Sequence, residues 1–116
     1  MNQRISLQAW LDQSDGSRAD QLELFALINL GLLESLSAGI LSAADSLQVF
    51  FHADNCLFVR KRLKNKDADE IMSRGVQLAD VLDIVPADQA QREFHRELTK
   101  LRSSCLKLME HKRKVA

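Results

Sequence analysis

The chain reads as an all-α bundle of five or six helices in a single domain, and three observations predict it. Apolar residues recur at spacings of three and four rather than two, the pattern of one face of an α-helix. One proline and four glycines punctuate 116 residues, too few breakers for a succession of short strands and hairpins. The stretch from Leu22 to Leu36 carries Leu22, Leu24, Phe25, Leu27, Ile28, Leu30, Leu32, Leu33 and Leu36, apolar groups on nearly every side of a helix. An ordinary surface helix shows one apolar stripe, so one that is greasy most of the way round must be covered from several directions. The sequence leaves open whether the rest of this chain is cover enough, or whether a second copy or another protein completes the packing.

The elements follow in order. A short first helix over about Ser6 to Gln13 puts Leu7, Trp10 and Leu11 on one face, and Ser14-Asp15-Gly16-Ser17 reads as a turn. The central helix starts near Arg18 or Ala19 and ends at Ala38, with Gly39 suited to the left-handed position just past a helix end. Ile40 and Leu41 are expected to fold back on its last turn. Ser42, followed three places on by Asp45, is a helix-start cap, opening a third helix to about Phe51. A fourth helix spans Asn55 to Lys64, with Cys56-Leu57-Phe58-Val59 as an alternative short strand. Asp67 with Glu70 gives a second capping signature, for a helix through Ile71, Met72, Leu78, Val81 and Leu82 that Pro86 brings to an end. The last helix runs from Pro86–Asp88 to about Lys112, roughly 37 Å at 1.5 Å per residue. It ends in His111-Lys112-Arg113-Lys114, cations that suit the negative end of a helix dipole.

Charge and cysteines bound the function. Sixteen basic and sixteen acidic residues cancel, so no global field gathers nucleic acid, anionic lipid or acidic substrates. The balance hides a gradient: Met1 to Cys56 holds two basic and seven acidic residues, whereas Leu57 to Ala116 holds fourteen and nine. Two isolated cysteines make no disulfide framework and no metal-binding pair, which favours a reducing compartment. No apolar run approaches the ~20 residues of a membrane span, and the N-terminus lacks the apolar core of a secretory signal. The expectation is a soluble, cytoplasmic protein.

Each candidate constellation has a plainer reading. Arg60, Lys61, Arg62, Lys64 and Lys66 place five cations in seven positions, the alternative being a phosphate or nucleic-acid surface. Such a surface normally adds stacking aromatics or a base-reading helix, and this chain has no tyrosine and one distant tryptophan; a solvated helix end is preferred. His52 and Cys56 sit one helical turn apart with Asp54 between them, two aligned groups where zinc takes three or four. No serine elbow or glycine-rich phosphate loop is present, and Asp67, Asp69, Glu70, Asp80 and Asp83 are ordinary for wet helix faces. No enzyme, cofactor, metal or small-molecule substrate is expected. Gly31 with Ser35, and Gly75 with Ala79, make flat strips where a neighbouring helix can approach closely, read first as tight packing inside the domain.

The feature with most functional content is the last helix. Phe94, Leu98, Leu101, Cys105 and Leu108 are spaced four, three, four, three, a heptad seam of about two repeats. The helix is longer than a body with a radius of gyration of about 13 Å requires, so the seam is expected to meet a symmetry mate rather than dock on the central helix.

Gly39-Ile40-Leu41-Ser42-Ala43-Ala44, and Gly75-Val76-Gln77-Leu78-Ala79-Asp80-Val81 with Val85-Pro86 following, resemble a small bacterial family of about this length that has no assigned function. The resemblance covers about residues 24–108. It implies a bacterial protein outside the recognised enzymes and transfers no functional residue. The resulting expectation is a non-catalytic helical module, a small regulator or immunity-type protein, that binds a protein partner or a second copy through Phe94, Leu98, Leu101, Cys105 and Leu108; the alternative is a nucleic-acid-associated protein using Arg60, Lys61, Arg62, Lys64 and Lys66, and a third an enzyme with an unrecognised site.

Overall fold

In a computed structural model, residues 4–13 and 16–115 are described, with side chains to residue 110. They form α1 (Leu7–Asp12), α2 (Arg18–Ser37), α3 (Ala43–Val49), α4 (Ala53–Phe58), α5 (Lys66–Ile84) and α6 (Ala87–Val115), with α4 running directly into a π turn at Val59–Leu63. No strand occurs among the described residues, so Cys56 to Val59 is helical. Ser14 and Asp15 of the expected turn, and the side chains of His111 to Lys114, lie outside the described residues.

Local chemistry explains most helix ends. The Ser6 hydroxyl accepts from the Ala9 amide at 3.2 Å. Ser17 with Asp20, and Ser42 with Asp45, form reciprocal capping boxes that satisfy orphan amides at both ends of the motif. Gly39, at φ 77°, closes α2, while the Ile40 amide reaches back to the Ser35 carbonyl at 3.0 Å. Leu41 is half-buried, but Ile40 stands 80 % exposed rather than folding against the last turn.

The start of α5 differs from expectation. Lys64 adopts a left-handed conformation, φ 48°, and its amide donates to the Val59 carbonyl, closing the π turn. The chain is thereby redirected, and Asn65 rather than Asp67 becomes the cap, its Oδ1 accepting from the Ala68 amide at 2.9 Å. Asp67 and Asp69 then fall in the first turn, where carboxylates favour the positive end of the helix dipole.

Helix α6 packs between α2 and α5, the two most extensive helix pairings of the fold. This corrects the expectation for its seam. Phe94, Leu98, Leu101, Cys105 and Leu108 are each at most 8 % exposed and belong to the same buried cluster as Phe25, Leu33 and Leu36 of α2 and Ile71, Met72 and Leu78 of α5. A heptad pattern states that one face must be covered, not by which chain; here the chain's own helices cover it. Each large apolar side chain so buried contributes on the order of 1.5–3 kcal/mol, which makes the seam a main source of stability. With 29 residues, α6 is about 43 Å long at 1.5 Å per residue and spans most of the 45 Å long axis of the molecule.

Two further contacts hold the short helices. Gly75 of α5 lies under the Phe51 ring, so close that a Cβ there would overlap it, and Phe51 stacks edge-on against Phe50 at 5.1 Å. Buried Asn55 fastens the N-terminal segment: Oδ1 accepts from the Leu7 amide at 3.0 Å, and Nδ2 donates to the Ile5 and Phe50 carbonyls at 2.9 and 2.8 Å. All its hydrogen-bonding capacity but one lone pair is used, as burial of an amide demands.

Candidate functional site

Helix α2 places its residues on two faces with different fates. Phe25, Ala26, Asn29, Leu32, Leu33 and Leu36 are buried against the bundle. Leu24 and Leu27, 37 % and 46 % exposed, look outward with Gly31, Glu34 and Ala38. The chain therefore covers one side of its greasiest helix and leaves the other open. Gly31 belongs to that open side: a Cβ built on it meets nothing within 4 Å. The two mid-helix glycines thus part company, Gly75 serving internal packing and Gly31 serving none.

Beside this face runs a groove of about 340 Å³ between α2 and α6. Its floor is Leu30, Leu33, Leu98 and Leu106, the last 42 % exposed, and its rim carries Glu34, His95 and Arg102. Among the described residues neither Glu34 nor Arg102 has an ion pair. The His95 ring lies edge-on to the Phe94 ring at 6.1 Å, and Thr99 Oγ1 donates to the His95 carbonyl at 2.9 Å rather than to its ring. The rim therefore offers separated charges over an apolar floor, with no hydrogen-bonded pair of nucleophile and base.

The basic cluster does not converge. Arg60, Lys61, Arg62, Lys64 and Lys66 are all exposed, but Arg60 lines a different depression from Lys61 and Arg62. Arg60 shares a depression with Asp69, Glu70 and Arg74 of α5. Lys61 and Arg62 edge another, with Ser6, Asp54 and Leu57. Arg62 is further tied to Asp12 at 3.1 Å and lies over the Phe58 ring, 5.4 Å from its centroid. Carboxylates thus interleave with the cations.

His52 is occupied by the fold. Its Nδ1 accepts from the Asn55 amide at 3.4 Å as the cap of α4, and Nε2 donates to the Ile5 carbonyl at 3.0 Å. Neither nitrogen is turned toward Cys56, and among the described residues no three His, Cys, Asp or Glu side chains gather in a metal-binding arrangement. Burial raises the pKa of the Cys56 thiol, the Arg60 charge partly opposing it and Asp69 adding to it. Cys105 is pushed up to about 12 by burial. Neither sulfur is primed as a nucleophile, since reactivity needs the thiolate.

Sequence reasoning left open whether α2 is covered on every side, without assigning residues to an open face, and missed Leu106, which lies off the seam between Cys105 and Leu108. The all-round apolar character of residues 22–36 was the available signal for the first; for Leu106, a lone apolar residue among the polar positions of α6 was the only one. No helix is long and apolar enough to cross a membrane among the described residues. No curated protein and no solved structure is significantly similar to the chain. Residues 17–116, which take in both motifs at Gly39 and Gly75, match a family described as a protein of unknown function (DUF3969), and the chain belongs to that family.

Proposed function

We propose that the chain is a non-catalytic helical protein-interaction module, which receives a protein partner on the outward face of α2 and the adjoining groove. One observation carries this reading: α2 is apolar all round, yet Leu24 and Leu27 stay at the surface, with Leu106 across the groove. Single exposed leucines are ordinary on protein surfaces. Leucines aligned along one helix face beside a groove of mixed leucine and polar lining resemble the apolar anchors by which helices are recognised in helix-in-groove complexes. The rim supports binding over catalysis, because Glu34, His95 and Arg102 are not linked into any relay. The two cysteines, both free thiols, suit the reducing bacterial cytoplasm in which a small regulator or immunity-type protein would act.

The test is site-specific photo-crosslinking in host cells. A photoreactive residue at Leu27 should give a covalent adduct with a protein identifiable by mass spectrometry, and one at exposed Gln77 of α5 should not. Adducts from neither position, or equally from both, would overturn the reading.

A further inference from the structure

Resting on the proposed interaction face, we infer that its occupant is a second copy of this chain, with the two α2 helices crossing antiparallel at Gly31. The strip of α2 centred on Gly31 is Leu24, Leu27, Gly31, half-buried Ser35 and Ala38, at offsets of −7, −4, 0, +4 and +7 from the glycine, with exposed Glu34 flanking it. The strip is symmetric in position and antisymmetric in size: leucines occupy one half, serine and alanine the other. A two-fold axis through Gly31 sets Leu27 of one copy against Ser35 of the other, and Leu24 against Ala38. Large side chains then meet small ones at every step, the self-complementarity that an isologous interface requires.

Gly31 explains itself in this arrangement. A mid-helix glycine costs about 1 kcal/mol against alanine, and nothing in its own chain fills the space a Cβ would take. Two helices packed at 8–10 Å, each with Cα atoms about 2.3 Å from its axis, bring the facing Cα atoms roughly 3.4–5.4 Å apart. Glycine is the residue that permits the shorter end of that range.

Charge points the same way. A two-fold of this kind leaves both α2–α6 grooves on the same side of the helix pair, each with Glu34 and Arg102 on its lining, so an acidic and a basic group are available to pair between copies. Both groups lack an ion pair in their own chain among the described residues. The α2 face, about 30 Å long and 10 Å wide, offers roughly 300 Å² per copy, below the ~800 Å² of a standard interface. The groove flank with Leu106 and Arg102 extends it, so the dimer is weak and reversible.

Disulfide trapping reads the register directly, in the full chain carrying Cys56→Ser so that buried Cys105 is the only native thiol. Under mild oxidation Gly31→Cys alone should form a covalent dimer, because only a residue on the two-fold meets itself. Leu27→Cys alone and Ser35→Cys alone should not, but their equimolar mixture should. In parallel, the unmodified chain should show a concentration-dependent rise in mass by sedimentation up to about 100 µM, and Leu27→Glu should remove it. No trapping in the mixture, or a strictly monomeric unmodified chain, overturns the second copy as occupant. If Leu27 nevertheless photo-crosslinks to a different protein in cells, the interaction face stands and only its occupant changes; if it crosslinks to nothing, both fall.

Discussion

At the scale of single residues, burial decides what each polar group is able to do. Asn55 is buried with both its amide protons and its carbonyl oxygen engaged, tying Ile5 and Leu7 to the corner between α3 and α4. Asn29, equally buried, donates to the Phe25 carbonyl while its Oδ1 has no partner among the described residues. Cys105 shows the thermodynamic consequence of burial most directly. Its folded-state pKa, raised to about 12 from an ordinary 9.0, means that the native protein holds the thiol proton more tightly than the unfolded chain does. The stability this contributes is complete below pH 9 and is lost as pH rises from there toward 12. Lysines also titrate in that range, so the comparison is between the protein and its Cys105→Ala variant. Denaturant midpoints followed from pH 9 upward should fall faster for the unmodified protein, narrowing the gap between the two. Parallel curves would refute the assignment. The same burial predicts that alkylating reagents reach Cys105 only after unfolding.

At the scale of elements, the two mid-helix glycines make the sharpest contrast. Alanine at either site gains up to about 1 kcal/mol of helix propensity. At Gly75 the added methyl would collide with Phe51, itself buried and locked against Phe50, and overpacking of this kind typically costs about 1–3 kcal/mol. Gly75→Ala should therefore lower the denaturation midpoint and Gly31→Ala raise it, measured at a concentration low enough to keep the chain monomeric; shifts in the same direction would contradict this account. In sequence the two positions look alike, each a glycine four residues before a small partner. What separates them is one ring from α3's C-terminal corner, a tertiary fact with no local signature. The capping box at Ser42 was legible because its chemistry lies within four residues; the one at Ser17 has the same spacing but was read only as the end of a turn. The cap at Asn65 was not legible, because it depends on Lys64 turning left-handed to close a π turn. The seam of α6 was legible as a face to be covered. Its partner was not, since apolar periodicity is the same whether the covering helices come from the same chain or another.

At the scale of the whole molecule, the charge gradient along the chain is expressed in a single exposed ion pair among those seen between described residues. Arg62 with Asp12 is the one ion pair between the acidic and basic halves among the described residues, and it is solvent-exposed, worth about 1 kcal/mol at most. Arg74 with Glu70 and Glu97, Arg96 with Glu93 and Lys100 with Glu97 are drawn from α5 and α6 alone. Apolar burial between α2, α5 and α6 holds the bundle, and this makes the two leucine-bearing faces experimentally separable. Leu101 is fully buried at the centre of the seam within the apolar cluster, and an unpaired buried charge costs several kcal/mol. That is a large share of the ~5–15 kcal/mol by which a domain of this size is stable. Leu27, half-exposed on the outward face, should accept a carboxylate within about 0.5 kcal/mol. Leu101→Glu should thus abolish or strongly depress the cooperative thermal transition followed by circular dichroism, whereas Leu27→Glu should melt as the unmodified monomer does. If Leu101→Glu instead folds normally and only loses self-association, the seam is an interface after all, and the packing of α6 between α2 and α5 is wrong.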